Sequence, residues 1–213
     1  MKSSWEITKQ RSTYHFDNTK FDPDQDKVTH LGNINPFWLH ELETIKKLAK
    51  PKTWRTRGKG LDRPANEYNE EEYDLEQFGY GKDFVIGNLT WEVPEIFNKI
   101  LDGLGMDNSK MRLHVQNPGQ VWNLHLDKLE KWNPEDPNKV MRIMIALNDW
   151  EPGHFFSYGN YIYSGWRAGD VTTFDWQNIP HSTANAGHNP RITLQITGVI
   201  TDKTKDFLST LQR

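Results

Sequence analysis

Eight short segments, alternating or apolar, follow one another between Met111 and Ile200: Met111–Gln116, Val121–Asp127, Val140–Leu147, His154–Phe156, Tyr161–Tyr163, Val171–Phe174, His181–Asn185 and Arg191–Ile200. Glycine, proline and asparagine punctuate them, and these are the residues that turn a chain. Strands this closely spaced leave no room for crossover helices, so they predict a small β-barrel or jelly roll rather than a parallel α/β sheet. The last segment indicates what such a barrel would enclose. In it Arg191, Thr193, Gln195 and Thr197 share one face and Ile192, Leu194 and Ile196 the other, a strict period of two. A strand greasy on one face and polar on the other separates core from cavity, and a guanidinium at its head suits a cavity that holds an anion.

The rest of the chain reads as support. Met1 to about Gly32 is polar, with a turn at Asp22-Pro23-Asp24 and at most one early strand. Asn35-Pro36 is a helix start, and Phe37, Trp38, Leu42, Ile45, Leu48 and Ala49 then recur near helical spacing as far as Pro51. Lys52 to about Lys82 is rich in Gly, Arg, Asn and Glu and reads as a solvated loop. A short strand at Phe84–Ile86 precedes a second helix that begins at Val93–Phe97 and runs to about Leu101, where Gly103 and Gly105 stop it. The tail from Lys203 to Arg213 reads as a terminal helix. We therefore expect one domain over 1–213: helical and strand support in 1–108, a β core in 109–201 and a C-terminal helix in 202–213.

Chemistry concentrates in Val121-Trp122-Asn123-Leu124-His125-Leu126-Asp127. In an extended strand, residues two apart share a face, so His125 and Asp127 aim an imidazole and a carboxylate at one spot, with Asn123 beside them. The triplet alone carries little weight, because a chain of this composition produces about 0.6 His-x-Asp triplets by chance. His15-Phe16-Asp17 is such a decoy, lying in a polar stretch without a strand pattern. The conjunction is more specific: His181 follows, and ten residues later Arg191 opens the alternating strand. His154 and His188 are rival third ligands, but neither leaves an arginine at that spacing. Arg142, on the face shared by Val140, Met144 and Ala146, is an alternative anion binder or an outward residue. Arg112 and His114 either line the pocket or meet water.

His-x-Asp, a distant His and then Arg-x-Thr resemble the iron(II)- and 2-oxoglutarate-dependent oxygenases, most closely the prolyl and aspartyl/asparaginyl hydroxylase branch. The resemblance covers roughly Met111 to Thr201, including the turn Asn117-Pro118-Gly119-Gln120 before the metal strand and Gly169–Phe174 ahead of His181. Gln116 and Asn117 stand where those prolyl hydroxylases often carry a tyrosine. The resemblance implies a mainly β chain with flanking helices around a double-stranded β-helix. It also implies Fe(II) held by His125, Asp127 and His181, with positions left for 2-oxoglutarate and O2. Arg191 and Thr193 would take the far carboxylate of 2-oxoglutarate, and Asn123 and Arg142 are further contacts for substrate or co-substrate. The implied reaction hydroxylates a protein or peptide side chain or a free amino acid, forming succinate and CO2. Related halogenases lack the carboxylate, so Asp127 favours hydroxylation.

Two other functions compete. Base-repair demethylases carry a second arginine six residues beyond the first, and here that position is Thr197. The net charge of −3 also removes the general pull toward nucleic-acid phosphates. A cupin-like module that binds a metal or ligand without turnover would share the barrel and the polar face. The absence of cysteine excludes disulfides and thiolate sites. No segment approaches the length of a membrane span, and the N-terminus has no apolar signal core, so we expect a soluble, cytoplasmic protein without a membrane partner.

Overall fold

A computed structural model describes residues 28–53 and 83–211. The decoy His15–Asp17, the first turn and most of the loop expected over Lys52–Lys82 lie outside the described residues. Eleven strands are described, with three α-helices. The strands are β1 (Thr29–Asn33), β2 (Lys50–Thr53), β3 (Val85–Thr90), β4 (Asp107–Gln116), β5 (Val121–His125), β6 (Val140–Ala146), β7 (His154–Tyr158), β8 (Tyr161–Tyr163), β9 (Asp170–Thr173), β10 (His181–Asn185) and β11 (Arg191–Val199). The helices are α1 (Leu42–Leu48), α2 (Asn98–Leu104) and α3 (Asp202–Ser209).

All eight expected strands are present, in two antiparallel sheets. The larger has the order β1-β9-β6-β11-β4-β3-β2 and the smaller β5-β10-β7-β8. Most neighbours in the β core are sequence-distant strands, whereas β2-β3-β4 and β7-β8 pair in chain order, and β11 lies mid-sheet between β4 and β6. The larger sheet is greasy on its outer face. Ile192, Leu194 and Ile196 of β11 join Leu113 and Val115 of β4 and Ile143 and Ile145 of β6 in one buried cluster. That cluster is completed from the helical side by Ile45 of α1, Ile100 and Leu104 of α2, and Trp38 and Phe97. Trp38 is also tied to the sheet by its indole N–H, which donates to the Leu147 carbonyl at 2.9 Å. A second cluster, with Met144, Phe156, Tyr158, Trp166, Phe174 and Trp176, forms part of the inner layer.

The helices depart from expectation in instructive ways. The first does not start at Asn35-Pro36: a 3-10 turn at Leu39–Glu41 leads into α1. Pro51 does not merely end it, because Lys50–Thr53 is the edge strand of the larger sheet, a position where a missing N–H costs no ladder bond. Gly103 does not stop α2. It sits inside the helix under Phe207 of α3, where a Cβ would come within 2.6 Å of the ring. Gly105 does stop it, at φ 55 in the left-handed region where glycine carries no steric cost. α3 opens on a capping box in which Thr201 and Thr204 each satisfy the other's backbone N–H. Among the described residues no helix is long and apolar enough to cross a membrane.

Candidate metal centre

β5, β10 and the segment after β5 supply the three residues that the sequence singles out. His181 and His125 are register partners across β10 and β5, and their rings lie 4.3 Å apart. Asp127 closes the group: its Oδ1 is 3.9 Å from His125 Nε2 and its Oδ2 is 3.6 Å from His181 Nε2. One ligand atom from each residue falls within 4.8 Å of the other two, and both histidines are buried. Ligands at ~2.1 Å from an octahedral ion stand about 3 Å apart, and the two separations from Asp127, 3.9 and 3.6 Å, lie within about an ångström of that.

Backbone carbonyls fix the imidazole tautomers. His125 Nδ1 bonds the carbonyl of Asn123 at 2.8 Å, and His181 Nδ1 bonds that of Ile179 at 3.3 Å. With the proton held on Nδ1, each Nε2 keeps a lone pair turned toward Asp127, the arrangement a metal-binding histidine needs. The carboxyl of Asp127 titrates well below the usual carboxylate range. Burial alone would raise it, but the charge of Arg142 opposes that, joined by those of His181 and His125 when these are protonated.

The alternation argument that paired His125 with Asp127 needs correction. β5 ends at His125, so Asp127 is not a strand residue. Nor is the strand regular: from His181 to Thr183 on β10, the partners on β5 pass from His125 to Trp122. This bulge places one extra β5 residue there and breaks the period of two. Trp122 is consequently the ring stacked on His125, at 5.8 Å and 25°, with its other contact edge-on to His114. Read from sequence as plain core, Trp122 in fact walls the site. Asn123 lies on the bulge. Its backbone carbonyl holds His125, while its side-chain oxygen is buried with no hydrogen-bond partner among the described residues.

Arg142 faces neither solvent nor a vacant pocket. Its Nη1 bonds Asp127 Oδ2, and its Nε donates to Thr197 Oγ1 at 3.1 Å. It is thus engaged by the carboxylate of the cluster, which corrects its assignment as a co-substrate contact. Of the rival ligands, His188 is exposed, and both ring nitrogens of His154 are bonded to backbone groups of Asn189 and Glu151.

Arg191 lies at the other end of the inner face of β11, paired in register with Gln116, and is 3% exposed. Its guanidinium is 4.6 Å from the Phe156 ring and 5.6 Å from that of Trp166. Burial pulls its pKa down to about 10, opposed only by the Tyr158 phenol and by no carboxylate, and its Nε is buried without a hydrogen bond among the described residues. Phe156 also neighbours His181, at 6.4 Å between rings, so the guanidinium and the cluster share this ring as a neighbour. Thr193 is buried on the same face, opposite His114 and Ala146. His114 does not meet water: burial, with help from Arg191 and Arg112, pushes it well below its ordinary pKa and leaves it neutral. Sequence reading missed Tyr158, which is fully buried, stacks on Phe156 at 4.2 Å, lies 6.2 Å from His181, and has no hydrogen bond to its hydroxyl among the described residues. Its only sequence signal was its place two residues beyond Phe156 on an alternating strand.

Comparison with known proteins bears on the fold. No family model matches the chain, and no curated protein does. Among solved structures, a prolyl-4-hydroxylase from Pseudomonas putida superposes with a TM-score of 0.51 at 16% identity, over 84% of this chain and 95% of that one. A Cupin 2 conserved barrel protein from Salinispora arenicola matches at a TM-score of 0.34 and 12% identity, over 58% of this chain and 83% of that one. A predicted oxalate decarboxylase from Thermotoga maritima matches at 0.35 and 15%, over 54% and 81%. The fold is a double-stranded β-helix. At these identities the likeness speaks of architecture, and the chemistry has to be argued from the side chains.

Proposed function

We propose that this chain is an iron(II)- and 2-oxoglutarate-dependent dioxygenase that hydroxylates an amino-acid side chain, in a protein or peptide or as the free amino acid. One observation carries the reading: a buried guanidinium with no carboxylate acting on it among the described residues shares Phe156 as a neighbour with a buried His-Asp-His cluster. A buried cation without a counter-ion is costly, and an anionic ligand that binds there offsets the cost. A ligand that chelates a metal at one end and presents a carboxylate at the other would engage both features, and 2-oxoglutarate is such a molecule.

His125, Asp127 and His181 would hold the ion, two neutral nitrogens and one carboxylate oxygen leaving part of its coordination sphere to ligands. When bound, iron(II) with 2-oxoglutarate and O2 supplies the oxidising power for hydroxylation, and 2-oxoglutarate leaves as succinate and CO2. The protein's own part is geometry. Arg191 would fork onto the far carboxylate with two charge-assisted hydrogen bonds, and Thr193, two residues along, would add another. The hydroxyl of Tyr158, buried and without a hydrogen-bond partner among the described residues, would be a further donor. Phe156, Phe174 and Trp166 exclude water, which strengthens every electrostatic contact inside. His114, neutral at physiological pH, adds no positive charge that would compete with the metal.

Anaerobic titration of the apo protein with Fe(II) and then 2-oxoglutarate tests the reading. A visible charge-transfer band is expected on addition of the keto acid, and admission of O2 should release succinate. A band without succinate under any amino-acid or peptide supplement would reduce the chain to a cupin-like binding module. No band at all would refute the proposal.

A further inference from the structure

The two histidines and the carboxylate are held in place by different means. His125 and His181 sit in paired strands, and a backbone carbonyl pins each ring. Asp127 lies beyond the end of β5, so no strand ladder dictates where its carboxylate points. What reaches it is Arg142, from the opposite sheet. Arg142 is 8% exposed and stands in register with Thr197 across β6 and β11, and the hydroxyl of Thr197 accepts its Nε–H. The guanidinium is thereby aimed, and its Nη1 takes Asp127 Oδ2.

We infer that Arg142 is the positioning residue for the carboxylate of the metal site, and that Thr197 in turn orients Arg142. The inference rests on the metal-site reading above and extends it to residues that touch neither metal nor co-substrate. A carboxylate in a loop loses side-chain entropy and solvation when it binds an ion. One already desolvated and oriented by a guanidinium has met most of that cost on folding.

The test is Co(II) titration of the apo protein, read by the visible absorption of the bound ion, for the wild type, Arg142→Lys and Arg142→Gln. Thermal midpoints of the three apo proteins are measured alongside. Arg142→Gln removes the charge and the fork and is expected to weaken Co(II) binding about 10–100-fold. Arg142→Lys keeps the charge without the fork and should fall between the two, at least about threefold below wild type. An Arg142→Gln protein that melts earlier yet binds Co(II) as the wild type does would show a merely structural role and overturn the inference. Should Arg142→Gln not fold, Arg142→Lys decides alone, and an unchanged affinity overturns the inference. A wild type that takes up no Co(II) would instead refute the metal site on which the inference rests.

Discussion

β11 has two faces that fold under opposite rules. Ile192, Leu194 and Ile196 are buried among other aliphatic side chains between sheet and helices, where each contact lowers the free energy of the fold. Arg191, Thr193, Gln195 and Thr197 are buried just as deeply on the reverse, a few ångströms away, and each brings a desolvation cost. Two of the four have visible local compensation: Gln195 accepts from Arg112, and Thr197 accepts from Arg142. Arg191 does not, with only aromatic rings over its guanidinium and an unpaired Nε. One strand therefore carries both the stability of the larger sheet and the residue that most opposes it. That is what a binding site built into a core looks like: the outer face supplies the stability that the inner face consumes.

The contrast can be broken by substitution. Leu194→Ala, at a fully buried outer position, is expected to lower the unfolding free energy by about 2–5 kcal/mol in urea denaturation while leaving Co(II) affinity unchanged. Arg191→Met, three residues away on the inner face, should do the reverse. At pH 8 it should raise stability by up to about 3 kcal/mol, because it removes a desolvated charge, while weakening 2-oxoglutarate binding. The pH dependence sharpens the point. The folded-state pKa of Arg191, about 10, lies below its ordinary value, so the unfolded chain binds the proton more tightly. Its destabilising effect is then fully present below pH ~10 and relieved as pH rises through that value, so the advantage of Arg191→Met should shrink between pH 8 and pH 11. If Arg191→Met destabilises the protein as Leu194→Ala does, the inner face is structural and the contrast fails.

Smaller effects follow. His181→Ala should reduce Co(II) affinity at least ~100-fold, with less change in apo stability than Leu194→Ala brings. On the outer, helical layer, Thr201→Ala removes the cap of α3 and its hydroxyl's bond to the Gly105 carbonyl. We expect a loss of about 1 kcal/mol by denaturation and an unaltered metal titration.

Much of this was legible because strands announce themselves by period. The eight strands of the barrel and the two-faced character of β11 follow from alternation, while the set His125, Asp127, His181 and Arg191 came from a family resemblance, because β5 ends before Asp127 and is bulged. What escaped did so for local reasons. Pro51 reads as a helix end and a loop start, and only the sheet shows that the strand containing it is an edge. Gly103 reads as a helix stop, but the ring of Phe207, about a hundred residues on, requires glycine inside the helix. Trp122 reads as core because the bulge that turns it toward His125 leaves no mark in the residues. Arg142 reads as an anion binder, since nothing in its own strand reveals that its partner is Asp127.

The sequence by itself determined which side chains face together along regular strands such as β11, because an unbroken pleat has a fixed period, but it did not do so at the bulge of β5. Which strands face one another, and therefore which distant residues share a cavity, was decided only by tertiary structure. Pairing across two sheets depends on how the outer apolar face finds its helices, and that is a property of the whole packed core rather than of any local pattern. The same chain of residues could spell an arginine for a substrate or an arginine for a carboxylate. The packing of β6 against the end of β5 chose the second.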